Sequence, residues 1–157
     1  MATVTLPGLM IRLVSPNDMD AICDLEELCF KDPYPSYFLY QLAEANADTF
    51  VVAAVDGRVV GYGVVDEWKD HNHLVSIAVH PDKRRRGIGR SLLLALEEKL
   101  ENKRPLRLEV RKSNLPAIEF YSKNGFRETG ALEGYYADGE DAILLEKVVT
   151  LMRLANV

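Results

Sequence analysis

Ser76-Ile-Ala-Val-His-Pro-Asp-Lys-Arg-Arg-Arg-Gly-Ile-Gly-Arg-Ser-Leu-Leu-Leu94 is the stretch whose reading decides the fold. Its first residues, up to Val79, read as the end of a buried strand, and His80-Pro81-Asp82 as a turn. A basic glycine loop from Arg84 to Gly89 then opens a helix near Ile88. A strand feeding a glycine loop and a helix N-terminus gathers backbone N–H groups around one point, and that point attracts an anion. Two nucleotide motifs of similar outline are excluded. Arg90-Ser91 stands where a P-loop needs Lys-Ser/Thr, and no G-x-G-x-x-G is present. The competing readings of Lys83 to Arg86 are a solvated basic turn and a nucleic-acid patch.

With 157 residues, 48% hydrophobic and 27% charged, the chain fits one ordinary globular domain spanning 1–157. A formal net charge of −5 supplies no positive field for sequence-independent binding of nucleic acid. No apolar run approaches the roughly 18 residues of a membrane helix, and Met1 to Met10 lacks the features of a signal peptide. The expectation is a cytoplasmic protein without a membrane partner. Cys23 and Cys29 show neither CxxC spacing nor companion histidines, so no metal is expected and both read as small buried apolar residues.

Toward the N-terminus, Met10 to Val14 is extended, and Ser15-Pro16 starts an amphipathic helix ending near Glu27. Met19, Ile22, Cys23, Leu25 and Leu28 fall at helical spacing, with Asp18, Asp20, Asp24, Glu26 and Glu27 outside. Two prolines make Phe30 to Tyr37 an aromatic loop, followed by a helix from Ser36 or Tyr37 to about Ala45. Phe50 to Val55 and Arg58 to Val65 flank Asp56-Gly57, a hairpin signal. A third strand, about His71 to Val79, pairs with the second and carries His71, His73, Val75, Ile77 and Val79 on one face.

Toward the C-terminus, the helix after the loop presents Ile88, Leu92, Leu93, Leu96 and Leu100 on one side. Leu106 to Arg111 alternates as a strand. The strand, helix, strand succession predicts that it runs parallel to the strand ending at Val79. Ser113-Asn-Leu-Pro116 caps a helix from Ala117 to Lys123, stopped by Asn124-Gly125. Phe126 to Glu133 and Ala142 to Val149 are the last strands, and the Thr150 to Val157 tail has apolar residues suited to packing on a helix or a neighbour. The predicted fold class is α/β (α+β), a mixed, mostly antiparallel sheet with helices on both faces.

Arg84-Arg85-Arg86-Gly87-Ile88-Gly89 also fits an Arg/Gln-x-x-Gly-x-Gly/Ala signature. Leu108-Glu-Val-Arg-Lys-Ser-Asn114, Ala117-Ile-Glu-Phe-Tyr-Ser-Lys-Asn-Gly-Phe126 and Gly134-Tyr-Tyr-Ala-Asp-Gly-Glu-Asp-Ala142 follow it. Together they resemble the GNAT acetyltransferase superfamily, in particular the RimI-like and archaeal NatA-type branch that acetylates protein N-termini. The resemblance runs from about Ile11 to Lys147. It implies a GNAT fold of about seven strands, splayed between the fourth and fifth, with acetyl-CoA (coenzyme A) as cofactor. Backbone groups of Ile77, Ala78 and Val79 would hold the pantetheine arm, the Val79 N–H serving as oxyanion donor. Amides of Arg84, Arg85, Arg86, Gly87, Ile88, Gly89 and Arg90 would bind the pyrophosphate. Asn114 resembles an asparagine that bonds the pantetheine arm, and it equally suits a helix cap.

Acetyl transfer to an amine poses two proton problems. A peptide α-amino group, with a pKa of about 7.7 to 8, must lose a proton, and the leaving thiolate must gain one. By resemblance Glu109 is the base, on the strand face it shares with Arg107 and Arg111. The alternative is an ordinary glutamate paired with a strand arginine. Tyr121 matches a tyrosine near the cofactor sulfur that protonates the thiolate, and is otherwise a core aromatic. His73 matches a histidine preceding the Val-Ser-Ile-Ala-Val strand, and either relays the amine proton or is structural. His71 and His80 have no such match and read as solvated.

Asp32, Tyr34 and Tyr37, with Tyr135 and Tyr136, resemble two loops that grip the first residues of the substrate. Asp32 stands where the branch often carries a longer glutamate, and the aromatics could instead cover the sheet end. The implied acceptor is a protein or peptide N-terminus, ribosomal and nascent chains among them, attacked directly in a ternary complex by a monomer or homodimer. Acetylation of a small amine or lysine side chain, and a non-catalytic acyl-CoA sensor, are the alternatives.

Overall fold

In the computed structural model, which describes residues 6–149, the strands and helices follow in the expected order. They are β1 (Leu9–Leu13), α1 (Met19–Cys29), α2 (Ser36–Ala45), β2 (Phe50–Val55), β3 (Arg58–Glu67), β4 (Asn72–Val79), α3 (Ile88–Lys99), β5 (Leu106–Arg111), α4 (Leu115–Lys123), β6 (Arg127–Leu132) and β7 (Ala142–Lys147). The expectation for the Thr150 to Val157 tail lies outside the described residues. The sheet order is β1-β2-β3-β4-β5-β7-β6. β4 and β5 pair in parallel, whereas β1–β2, β2–β3, β5–β7 and β6–β7 are antiparallel. This is the mixed, mostly antiparallel sheet read from the sequence. Two compact units divide the chain, one built from the residues up to Asp66 and Leu74–Glu101, the other from Glu67–His73 and the residues from Asn102 onward.

Alternation along β3 gives the first unit its layers. Tyr62 and Val64 face one side, where with Phe50 and Val52 they join Met19, Ile22 and Leu25 of α1 and Leu39 and Leu42 of α2 in one core. Gly61 and Gly63 face α3, whose Ile88, Leu92, Leu93 and Leu96 are at most 1% exposed. A Cβ on Gly63 would stand 2.9 Å from Leu96 Cδ1, and one on Gly61 2.9 Å from the Ala78 carbonyl oxygen. A side chain at Gly61 would collide with the β4 backbone, and one at Gly63 would displace the end of Leu96 on α3.

Several expectations for α1 need correction. A 3-10 turn at Pro16–Asp18 precedes it, it continues past Glu27 to Cys29, and Leu28 is 55% exposed. Asp18 and Glu26, expected on the outer face, are buried. Their partners explain why, since a carboxylate enters a core only when its lone pairs are met. Asp18 accepts two bonds from the Arg12 guanidinium, at 2.7 and 2.9 Å, and one from the Ser15 N–H at 2.8 Å. Glu26 accepts from the Tyr62 hydroxyl, from the Tyr34 N–H at 2.9 Å and from Ser76 Oγ at 3.3 Å.

In the second unit β5 pairs with β7, placing Arg107 opposite Glu146 and Glu109 opposite Leu144. β4 starts at Asn72 rather than His71. The buried Asn72 amide donates to Asn102 Oδ1 at 2.8 Å and to the Arg104 carbonyl at 3.0 Å, and the Asn102 amide donates back to Asn72 Oδ1 at 3.0 Å. With the Asn72 N–H bound to the Pro105 carbonyl at 2.8 Å, this clamp sets the parallel ladder, Asn72 to Leu106 and His73 to Arg107. α4 begins at Leu115, two residues ahead of the expected Ala117, because the Asn114 side chain caps it by accepting the Ala117 N–H at 3.2 Å.

The Arg12–Asp18 pair makes a testable contribution. Its hydrogen bond to Arg12 holds the Asp18 carboxyl below its usual range, against the opposing pull of burial. A lowered folded-state pKa means stability that is fully present above the unfolded value of about 4 and lost as pH falls through the lower folded value. Asp18→Asn should cost about 1–2 kcal/mol at neutral pH, and denaturant titrations from pH 5 to pH 2 should show a flatter acid limb than the wild type.

Candidate active site

The site in the second unit starts from the alternation of β5. Leu106, Leu108 and Val110 are buried, which turns Arg107, Glu109 and Arg111 to the other face. Because the ladder registers His73 with Arg107, the imidazole lies on the same face as Glu109. His73 Nε2 is 3.0 Å from Glu109 Oε2, and the Tyr135 hydroxyl donates to Glu109 Oε1 at 3.0 Å. Trp68 stacks on His73, with ring centroids 4.5 Å apart and planes 9° from parallel. These residues, with Arg107, Leu132 and Leu144, line a cleft of about 430 Å³. Burial pushes the Glu109 carboxyl up. The hydrogen bond and charge of His73, helped by Tyr135 and by the charge of His71, outweigh burial, so the net direction is down.

His71, read from sequence as solvated, is 6% exposed. Its Nδ1 lies 2.8 Å from Asp70 Oδ1 and its Nε2 3.1 Å from His73 Nδ1, while its ring meets Trp68 edge-on at 4.6 Å. The His-x-His spacing is the sequence feature that could have found it. His80 is half-buried and its Nδ1 accepts the Asp82 N–H at 3.1 Å, a bond internal to its turn.

The acidic motif around Tyr135-Tyr136 folds its own loop. Arg111 Nη1 binds Asp138 Oδ2 at 3.0 Å and Glu140 Oε1 at 2.7 Å, and its guanidinium lies 4.1 Å from the Tyr136 ring centre. Glu140 Oε2 accepts the Ser113 N–H at 2.7 Å, and Asp141 Oδ1 the Gly134 N–H at 2.9 Å. Sequence reasoning picked out the tyrosines and missed the arginine that positions them. Tyr121, on α4, is buried and meets Phe120 and Phe126 edge-on at 5.2 and 5.3 Å. Burial pushes its phenol up, and Tyr136 adds in the same direction.

The remaining expected residues lie in the first unit. Ile77 and Val79 are on the half-buried face of β4 with Ala78 buried between them. The Val79 carbonyl accepts from Arg84 Nε at 3.0 Å and from Cys29 Sγ at 3.5 Å. After it, Arg85 (φ 63°) and Gly87 (φ 81°) are both left-handed, the kind of backbone that turns successive amides inward. The Ser91 N–H bonds the Gly87 carbonyl at 3.0 Å, so the amides of Ile88, Gly89 and Arg90 precede the helical ladder. Those amides, the α3 N-terminus and the flanking arginines form a donor set that fits a diphosphate. Asp32, Tyr34 and Tyr37 are exposed, and Tyr37 belongs to the first turn of α2 rather than to the loop. The Tyr34 ring packs on Phe38 at 4.8 Å.

The sequence matches the Acetyltransferase (GNAT) family over residues 19–126, and the chain belongs to that family. It is 41% identical over 150 residues to an N-alpha-acetyltransferase of Sulfurisphaera tokodaii, covering 86% of this chain and 90% of that protein. It is 33% identical over 147 residues to the ribosomal protein bS18-alanine N-acetyltransferase of Salmonella typhimurium, with 90% and 98% covered. The fold matches the crystal structure of Ard1 from Thermoplasma volcanium with a TM-score of 0.86 at 30% identity, over 91% of this chain and 99% of that one. The protein is therefore an acyltransferase that uses acetyl-CoA. Among the described residues no cluster of His, Cys, Asp and Glu is arranged for a metal ion, and no helix is long and apolar enough to cross a membrane.

A side chain at Gly87 is disfavoured by about 1–2 kcal/mol in the left-handed region. Gly87→Ala should weaken acetyl-CoA binding by up to about tenfold, the factor equivalent to 1.4 kcal/mol, with the acceptor KM unchanged. Calorimetric titration with coenzyme A checks this, and an unchanged affinity would remove the loop from the cofactor site.

Proposed function

We propose that the protein is an N-alpha-acetyltransferase that acetylates the free α-amino group of peptides and proteins, ribosomal and nascent chains included, by direct attack in a ternary complex. It acts in the cytoplasm, as a monomer or homodimer, without nucleic acid or membrane. The observation that supports this reading most is the Glu109 carboxylate, held between His73 Nε2 and the Tyr135 hydroxyl at 3.0 Å each on the wall of a cleft.

Acetyl-CoA supplies the thioester carbonyl that the amine attacks. Glu109 takes the proton of the α-ammonium, directly or through water, and its lowered pKa keeps it ionised and ready at neutral pH. Tyr121, its pKa raised by burial, stays a neutral phenol that can protonate the departing thiolate. Burial also pushes the Cys29 thiol up, and it spends its proton on the Val79 carbonyl, which supports direct attack over a cysteine nucleophile. Asn114 assists the pantetheine arm beside its capping bond, and Ile77, Ala78, Val79 and the Arg84 to Arg90 loop hold the rest of the cofactor. Asp32, Tyr34, Tyr37, Tyr135 and Tyr136 grip the first residues of the acceptor.

A thiol-release assay over tetrapeptides beginning Ser, Ala, Met-Leu and Met-Glu tests the activity. Turnover of polyamines or lysine side chains without turnover of free N-termini would replace this reading. Glu109→Gln and Tyr121→Phe should each lower kcat roughly ten-fold to a thousand-fold, and wild-type rates in both would sink the role assignment. Combined with Glu109→Gln, His73→Ala should cost less than the sum of the two single effects, since the pair acts as one unit.

A further inference from the structure

Asp70, His71, His73 and Glu109 stand in one hydrogen-bonded file. The links are 2.8 Å from Asp70 Oδ1 to His71 Nδ1, 3.1 Å from His71 Nε2 to His73 Nδ1, and 3.0 Å from His73 Nε2 to Glu109 Oε2. Exposure rises sharply at one end. The side chains of His71, His73 and Glu109 are 8%, 13% and 20% exposed, and that of Asp70 is 73% exposed. Trp68 covers both rings, stacked on His73 and edge-on to His71. The charged neighbours are Arg107, whose Nη1 is 3.6 Å from Asp70 Oδ2, and Glu146, 2.7 Å from Arg107 Nε.

We propose that this file carries the proton taken from the substrate amine out to solvent, with His71 and Asp70 as relay residues that do not touch the substrate. The proposal rests on the reading of Glu109 as the base.

A proton count supports a relay over a static brace. With both carboxylates ionised, three links need three protons, and two neutral imidazoles supply two. In the tautomer that accepts the substrate proton, His71 and His73 both carry Nδ1–H, the first two links are made, and the His73 Nε2 lone pair faces Glu109 Oε2; the His73 hydrogen bond that lowers the Glu109 pKa forms only once Nε2 is protonated. The missing proton arrives with the substrate. An N–H bond of the α-ammonium breaks and an O–H bond forms on Glu109. The proton passes to His73 Nε2, the Nδ1 proton of His73 passes to His71 Nε2, and the Nδ1 proton of His71 passes to Asp70 and on to water. One proton has left the amine, one has entered water, and each ring has exchanged an Nδ1–H bond for an Nε2–H bond. Both rings finish in the opposite tautomer and return by ordinary imidazole tautomer exchange. The file has a use because the acceptor amine approaches Glu109 from the cleft, whereas Asp70 stays in contact with water. Arg107 beside Asp70 favours the ionised carboxylate and so favours release.

His71→Phe keeps a ring against Trp68 and removes both nitrogens. It should lower kcat by roughly ten-fold to a hundred-fold, within the span of general acid–base effects, with KM for peptide and acetyl-CoA within twofold of wild type. The solvent deuterium isotope effect on kcat should rise, and in His71→Ala, which vacates the ring's space, added imidazole should restore part of the lost rate where added benzene should not. Asp70→Asn should show a smaller loss in the same direction. Wild-type kcat and isotope effect in His71→Phe, alongside an impaired Glu109→Gln, would overturn the relay and leave the base intact. Wild-type rates in both would remove the base as well. Should His71→Phe fail to fold, nitrogen NMR of the wild-type histidines decides. A coupling across the His71 Nε2 to His73 Nδ1 bond supports the file, and a His71 ring exchanging freely with water overturns it.

Discussion

The His73–Glu109 contact of the second unit depends on the register of a two-residue parallel ladder. Side chains alternate along a strand, so a slip of one residue at the start of β4 would send His73 to the opposite face, away from Glu109. Hydrophobic pattern does not protect this register, because Asn72 and His73 are both polar. What does is the reciprocal amide pair of Asn72 with Asn102, backed by Asn72 bonds to the Arg104 and Pro105 carbonyls. Buried amides that satisfy one another tolerate little displacement, since each lost bond leaves a desolvated polar group costing about 1–3 kcal/mol. A polar clamp thus does the work that alternation does elsewhere in the sheet.

The two units hold comparable carboxylates to different effect. Glu26 is 1% exposed, and three protein donors, from Tyr62, Tyr34 and Ser76, occupy it. It has no face left for a reactant, and its effect is to tie α1 to β3, β4 and the aromatic loop. Glu109 also receives a tyrosine hydroxyl, but it borders a cleft and its other oxygen faces an imidazole able to donate or accept. Burial with saturated partners makes a brace. Partial exposure with a switchable partner suits the base proposed for Glu109, and that difference separates the two where residue type does not.

Local signals made most of the fold legible. Asp56-Gly57 gave the hairpin, with φ of 50° and 83° as a type I′ turn requires, the glycine loop gave the junction of β4 and α3, and β5 alternated as written. Local rules failed where a partner is distant in sequence. Glu26 was assigned to solvent because a glutamate on an amphipathic helix normally belongs there, and its partners Tyr62 and Ser76 are 36 and 50 residues away. His71 was assigned to solvent although Asp70 is its neighbour, because its burial is set by Trp68 and by the β5 register. For Glu109, Tyr121, Tyr135 and Tyr136 the proposed roles rest on the family resemblance, while the Arg111 contacts that arrange the tyrosine loop join residues 27 and 29 positions apart and carry no local signal.

The lowered pKa of Glu109 also constrains how the base can work. Even at reference values an α-amine near 7.7–8 and a glutamate near 4.3 differ by over three units, about 5 kcal/mol against the transfer. A carboxylate that weak cannot store the proton, so in the proposed role it serves as a conduit whose contents must be removed. Direct loss to water from the cleft competes with return to the amine a few ångströms away. The proposed file of imidazoles would separate the two, since once the charge reaches His71 the amine is no longer the nearest acceptor. The features that look unfavourable one at a time, a weak base, two adjacent histidines and an exposed aspartate, become consistent when the proton is required to leave by a different route from the one by which the acceptor arrived.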